Sequence, residues 1–300
     1  MGTPSTPSLL KRILLSKTTS SLEPTNPPVS AIPTASIREA TEALRRHKIG
    51  SILIVGPRGE LVGIFTERDL LMKVALSGQQ IDQTPIETVM TANPTTMSRS
   101  ASVARAIHEL ALGGYRHLPL ITDKDPTKFS IISTKNIVDH VHKHISSKIT
   151  GNDPITIDER NEVDSFFAQD INLLSPSKPV VFHEATTLGV ALEALQKANA
   201  GCVLATNASG KLSGIFTGRD YVMKVALEEL PLSETKLSDV MTPKPQTAVL
   251  STGIAYAFEM FSEGGFRHIP VMSEDEQLVG VLSVKNFFSF LSQLILKELS

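Results

Sequence analysis

Tryptophan is absent from this 300-residue chain, tyrosine occurs three times, and Cys202 is the whole of its thiol content. A single cysteine excludes an internal disulfide framework and suits a reducing compartment. Aromatic residues at 5% offer few platforms on which nucleic-acid bases could stack. A net charge of −2 and a pI near 6.5 supply no general attraction to nucleic acid or to an anionic membrane. No apolar run approaches the roughly 18 residues that span a bilayer. Glycine-rich phosphate loops, nucleophile elbows and paired acid–base carboxylates are missing too, so no catalytic residues are expected. What is left is an ordinary globular composition, 41% hydrophobic and 20% charged, and a cytoplasmic location is expected.

What the chain does contain is itself, twice. Gly63-Ile-Phe-Thr-Glu-Arg-Asp-Leu-Leu-Met-Lys-Val-Ala-Leu76 returns as Gly214-Ile-Phe-Thr-Gly-Arg-Asp-Tyr-Val-Met-Lys-Val-Ala-Leu227, identical at 11 of 14 positions. Val89-Met90-Thr91 returns as Val240-Met241-Thr242, and Gly113-Gly-Tyr-Arg-His-Leu-Pro119 as Gly264-Gly-Phe-Arg-His-Ile-Pro270. Every pair is 151 positions apart, which marks a tandem duplication. Each half divides again. Apolar positions at helical spacing over Ser36 to His47 precede strands at Ile52 to Val55 and Leu61 to Phe65, and a helix starts at Thr66. The same order recurs from Ser102, with a strand over Tyr115 to Ile121, a loop over Asp123 to Lys128 and a strand over Ser130 to Ile132. It recurs again from Thr187 and from Gly253. The expected fold class is therefore α/β, with four α-β-β-α units paired for burial of their small sheets.

The expected boundaries are an N-terminal arm at 1–21, a first module at 22–150 (units 22–80 and 86–150), a linker and leading helix at 151–170, and a second module at 171–300 (units 171–231 and 237–300). The first 22 residues are rich in Ser and Thr, carry Lys11, Arg12 and Lys17, and hold no acid before Glu23. Two readings stand open for them, an organelle transit peptide or a short amphipathic helix over Leu9 to Leu15. Asp139-His-Val-His-Lys-His144 places His140 and His144 on one helix face with no third ligand, so a solvent-exposed helix end is expected and no metal site. Cys202 lies in an apolar run, as a buried small side chain would.

Four helix starts repeat a hydroxyl-x-x-Asp/Asn pattern: Thr66 with Asp69, Ser133 with Asn136, Thr217 with Asp220, and Ser283 with Asn286. One reading is a capping box, which satisfies two free amides. The other is ligand binding, because a short carboxylate beside exposed amides accepts hydrogen bonds from a vicinal diol such as ribose. Arg116-His117 and Arg267-His268 enter strands holding Pro119 and Pro270, either as exposed strand-edge pairs or as phosphate donors. Ile37 to Ile52 aligns onto Val103 to Leu118 without a gap. Gly50-Ser51 therefore stands where Arg116-His117 stands, and Gly201-Cys202 where Arg267-His268 stands. Carboxylates mark the odd repeats and Arg-His pairs the even ones.

Val-Met-Thr, Arg-His-hydrophobic-Pro and Gly-hydrophobic-hydrophobic-[Ser/Thr]-x-x-[Asp/Asn] together resemble the CBS-domain family, and the chain resembles two Bateman modules, or four CBS motifs. That resemblance implies a pseudo-twofold module in which each cleft joins the helix start of one unit to the early strand of its partner. One cleft of each module would then receive Thr66, Asp69, Arg116 and His117, or Thr217, Asp220, Arg267 and His268. The other clefts, weaker or empty, would receive Ser133 and Asn136 with Gly50 and Ser51, or Ser283 and Asn286 with Gly201 and Cys202. Backbone at Thr95-Thr96 and Gln246-Thr247 would meet the base edge. Ile64, Phe65, Ile215 and Phe216 would flank a purine. Arg68 and Arg219 would either touch phosphate or sit solvated in a first helical turn. The implied function is regulatory binding of AMP, ADP or ATP with an effector protein as partner, and no nucleic acid or membrane. The alternative is a nucleotide-independent assembly module. A monomeric disc and a homodimer are both compatible with four units in one chain.

Overall fold

Ser36 opens the first long helix with a reciprocal cap. Its hydroxyl accepts from the Glu39 amide at 3.1 Å, and the Glu39 carboxylate accepts from the Ser36 amide at 2.8 Å. Helix Ile37–His47 buries Ile37, Ala40, Thr41 and Leu44, a stripe at helical spacing, and ends on Lys48 at φ 54°. The computed structural model, which describes residues 8–24, 27–122, 125–150, 156–228 and 230–299, has corresponding helices at Val103–Gly113, Leu188–Lys197 and Ile254–Ser262, of which the first keeps a one-way Ser102 cap and the other two start without a side-chain cap. Just past each helix the backbone turns left-handed, at Lys48, Gly114, Asn199 and Gly265. Those four residues are 66 positions apart within a half and 151 apart between halves, the offsets of the sequence repeats.

Two antiparallel strands follow each helix: Ser51–Val55 with Leu61–Thr66, His117–Thr122 with Asp125–Ser133, Cys202–Thr206 with Leu212–Thr217, and His268–Met272 with Leu278–Ser283. In each pair the first residue of the early strand faces the hydroxyl residue of the coming helix start, as Ser51↔Thr66, His117↔Ser133, Cys202↔Thr217 and His268↔Ser283. A short parallel strand borders every pair. In the odd repeats Thr91–Ala92 and Thr242–Pro243 add an antiparallel fourth strand, which carries the threonine of each Val-Met-Thr beside the helix start. The expected loop over Asp123 to Lys128 differs in part. Asp125 already pairs with Thr122, and the register shift there loops out the following residues before Phe129 resumes the ladder. The strand after Gly114 begins at His117 rather than Tyr115.

The chain divides into two compact units. One comprises Pro27–Pro94 and Lys178–Gln246, the odd repeats. Its core gathers Ile37, Leu44, Ile52, Phe65 and Leu71 with Leu188, Leu192, Val203, Phe216 and Val222. The other comprises Met1–Asn26, Thr95–Ser177 and Thr247–Ser300, the even repeats and their leading segments, around Val103, Ile107, Phe258, Phe287 and Leu291. Each unit thus gathers alternate repeats. Leu9, Leu10, Ile13 and Leu14 of helix Ser8–Ser16 are buried in that second core, so this stretch is an amphipathic helix rather than a separate arm. Helix Ile157–Phe167 contributes Val163 and Phe166 to the same core.

Candidate functional site

The two odd repeats build the same polar cluster. Asp69 Oδ2 accepts from the Thr66 amide at 3.0 Å and the Thr66 hydroxyl at 2.6 Å, while Oδ1 accepts from the Thr91 hydroxyl at 2.9 Å and Lys73 Nζ at 2.7 Å. Asp220 repeats the set with the Thr217 amide at 3.0 Å, its hydroxyl at 2.8 Å, the Thr242 hydroxyl at 2.7 Å and Lys224 Nζ at 3.0 Å. Both aspartates are 6% exposed. The capping box is present in each, so the first of the two readings of this motif is realised. The lysine and the Val-Met-Thr threonine were not recognised as members from the sequence, although both recur unchanged in the duplicated segments.

In the even repeats the amide replaces the carboxylate without disturbing the cap. Asn136 Oδ1 accepts from the Ser133 amide at 2.8 Å and its hydroxyl at 2.7 Å, and Asn286 Oδ1 from Ser283 at 2.9 and 2.6 Å. Asn286 Nδ2 donates to the Ser175 carbonyl at 2.8 Å, which ties this start to the segment before the third repeat. Capping therefore needs only one acceptor oxygen. The second oxygen and the charge of Asp69 and Asp220 are extra.

Arg68 and Arg219 have a structural task. Arg68 Nη2 donates to the Asn199 carbonyl at 3.3 Å and to its side-chain oxygen, and Arg219 Nη2 donates to the Lys48 carbonyl at 3.4 Å. Each arginine thus caps the left-handed helix end of the other odd repeat, where a cation meets the negative end of the helix dipole. Lysine takes this place in the even repeats, and one of the two makes a like contact. Lys135 Nζ donates to the Ser262 carbonyl at 2.9 Å, and Lys285 Nζ lies 2.8 Å from where a Cβ on Gly114 would sit. Of the two readings for Arg68 and Arg219, phosphate contact or a solvated first turn, neither included these helix-end contacts. A basic residue in all four copies of the motif was the available signal. The neighbouring difference between copies, Glu67 against Gly218, has a packing cause. Glu67 is 2% exposed, and a Cβ on Gly218 would stand 3.4 Å from the Glu67 Cβ, which leaves room for one glutamate.

On the sheets, alternation separates Ile64 from Phe65 and Ile215 from Phe216. Phe65 and Phe216 lie in the helix-covered core, at 0% and 1% exposure, and cannot flank a ligand. Ile64 and Ile215 lie on the opposite face. Thr95, Thr96 and Gln246 are exposed and Thr247 half-buried. Gly50 and Ser51 are buried, Gly201 is half-buried, and Pro119 and Pro270 are buried in the ladder opposite Ile131 and Val281. The acidic starts and the Arg-His strands fall in different compact units.

Arg116, His117 and Arg267 act on one another in the even-repeat unit. Burial first, then the Arg116 and Arg267 guanidinium groups, hold His117 well below the ordinary imidazole range. His117 is thus neutral at physiological pH, and the cationic charge of these strands belongs to arginine. Below about 6.5 the unfolded chain protonates this side chain while the folded one does not, so stability is complete above that pH and falls as acid is added. The expected slope is at most about 1.4 kcal/mol per pH unit. Urea unfolding of the wild type and His117→Gln at about pH 7.5 and pH 5.5 checks it; an unchanged acid sensitivity in the variant contradicts it.

Burial pushes the Cys202 thiol up to about 12, and the side chain is 4% exposed. A thiol-specific chromogenic disulfide is expected to leave the native protein unmodified and to titrate one thiol after unfolding. Rapid reaction of the native chain would contradict this burial. His140 and His144 do not form a solvent-exposed helix end. Their rings lie 4.0 Å apart, half-buried, and burial with the neighbouring His144, Lys17 and Lys143 lowers the His140 pKa to about 4. Among the described residues no group of three or more His, Cys, Asp or Glu could hold a metal ion.

A CBS-domain family model matches residues 20–76, 86–143 and 237–293, more than half of the chain. The Arabidopsis thaliana CBS domain-containing protein CBSCBSPB5 is 26% identical over 269 residues, covering 82% of this chain and 48% of that protein. The meiotically up-regulated gene 70 protein of Schizosaccharomyces pombe is 22% identical over 300 residues, covering 86% and 41%. The chain thus spans about half, or less, of the length of these relatives. Among solved structures, protein MJ1225 from Methanocaldococcus jannaschii shares the fold, with a TM-score of 0.72 over 91% of this chain and 99% of that one at 16% identity. Fourfold αββα repetition, the helix starts of all four repeats and these matches place the chain in the CBS-domain family, as a tandem array.

Proposed function

We propose that this chain is a regulatory, non-catalytic protein that binds adenine nucleotides (AMP, ADP or ATP) at its two odd-repeat carboxylates and conveys occupancy to a partner protein. The observation that carries this reading is the contrast between repeats. Asp69 and Asp220 keep a second oxygen and a charge that capping does not require, since Asn136 and Asn286 cap equally well. A charged two-oxygen acceptor suits the two adjacent hydroxyls of ribose. Ile64 and Ile215 supply an apolar surface on the strand that leads to each carboxylate. Regulation requires a ligand to differ in affinity between two states.

One observation favours a second reading, a nucleotide-independent assembly module. The four acceptor positions of each carboxylate are already filled from within the chain. A thermal-shift screen against AMP, ADP, ATP, NAD(P)H and S-adenosylmethionine separates the two. A ligand at about 100 times its dissociation constant adds about 2.7 kcal/mol, so an adenine nucleotide should raise the melting temperature by several degrees. No shift with any of them supports the assembly reading. Turnover of ATP by purified protein, lost in Asp69→Asn, would replace both with an enzyme. Among the described residues no helix is long and apolar enough to cross a membrane.

A further inference from the structure

Lys73 and Lys224 do more than neutralise a neighbour. Lys73 Nζ, 2.7 Å from Asp69 Oδ1, also donates to the Val89 carbonyl at 2.9 Å and the Met90 carbonyl at 3.2 Å. Lys224 Nζ, 3.0 Å from Asp220 Oδ1, donates to Val240 at 2.8 Å and Met241 at 2.9 Å. An ammonium has three protons, and the two carbonyls and the carboxylate account for them, with the Thr91 hydroxyl oxygen a further 3.4 Å neighbour of Lys73 Nζ. Both lysines sit in a helical turn widened to i→i+5, closed by the Ala75 amide on the Leu70 carbonyl at 2.9 Å and the Ala226 amide on the Tyr221 carbonyl at 2.8 Å. Such turns concentrate at functional positions. The corresponding even-repeat helices, Thr134–Thr150 and Val284–Leu299, carry histidine and phenylalanine at this place, His140 and Phe290.

The donors around each carboxylate differ in how easily they yield. The backbone amide is fixed and the ammonium is held by two carbonyls, whereas the two threonine hydroxyls are neutral and rotate about one bond. We infer that Lys73 and Lys224 are positioning residues for diol recognition: each holds its aspartate aimed while the hydroxyls of Thr66 and Thr91, or Thr217 and Thr242, exchange for those of an incoming vicinal diol. This rests on the nucleotide reading above and adds to it the group that holds the acceptor, tied to the Val-Met-Thr strand.

Calorimetric titration of AMP and 2′-deoxy-AMP tests it in Lys73→Met and Lys224→Met separately, with thermal melting as the check on folding. The altered site should lose about tenfold in AMP affinity and lose its preference for the ribonucleotide. Lys73→Cys treated with 2-bromoethylamine restores an ammonium at the right length, and with Cys202 buried the reaction is selective; ribonucleotide preference should return. Retention of that preference in both methionine variants overturns the lysine inference alone. Equal wild-type affinity for the two nucleotides, or no binding of either, overturns the nucleotide reading and this inference with it.

Discussion

Phe65→Ala lowers the unfolding free energy by about 3–5 kcal/mol, and Phe216→Ala does the same, the range for emptying a fully buried aromatic site. Both rings are among the largest wholly buried side chains, at 0% and 1% exposure. Each closes a sheet against helices of the odd-repeat unit, in one cluster with Leu71, Leu192 and Val222. Gly63 and Gly214 lie on the same strands. A Cβ at either would meet the sulfur of Met90 or Met241, at 2.3 and 2.1 Å, so the strand has little room to collapse into a vacated ring site. Because the two rings share one cluster, the double variant should not be additive. Chemical denaturation measures the loss; a change below about 1 kcal/mol for either single variant would show that these rings are not core.

The second large effect separates structure from binding at one residue. Asp69→Asn keeps the acceptor oxygen that caps the helix, as Asn136 shows at 2.8 and 2.7 Å, and should cost less than about 1 kcal/mol of stability. Its nucleotide affinity should fall by about a hundredfold, because a charge-assisted acceptor contributes about 1.5–3 kcal/mol and the amide presents only one oxygen. Asp69→Ala removes the cap as well, which adds a stability loss of about 1 kcal/mol. Lys73 is 42% exposed at its side chain and turns to water when its partner is gone, so the loss stays below that for stranding a buried charge. Thermal melting and calorimetry on the same samples read the two effects apart. An Asp69→Asn variant that melts early and binds normally would reverse the assignment.

Repetition carried most of what was legible beforehand. The offsets of 66 and 151 residues recur in the backbone as four left-handed helix ends, because the same local physics ends each helix. The capping box was equally legible, since it is a contact three residues long. Contacts that close over distance were not. A lysine four residues after an aspartate reads as an ordinary helix pair, and nothing local announces that Lys73 also reaches the Val89 and Met90 carbonyls across 16 residues. Arg68 looks the same in sequence whether it faces phosphate or the end of another helix. Phe65 could have been assigned correctly by the two-residue period of a strand, because Ile64 and Phe65 cannot share a face. The polar stretch over Asp125 to Lys128 reads as loop, yet a register shift draws part of it into the ladder.

Calorimetric stoichiometry with AMP on wild type, Asp69→Asn, Asp220→Asn and the double variant tests the central claim, that two odd-repeat carboxylates each hold a nucleotide sugar. The expected result is two sites per chain in the wild type, one in each single variant and none in the double, with all four proteins melting within a few degrees of one another. Undiminished binding in the double variant, or no heat from AMP, ADP or ATP in the wild type, would contradict it.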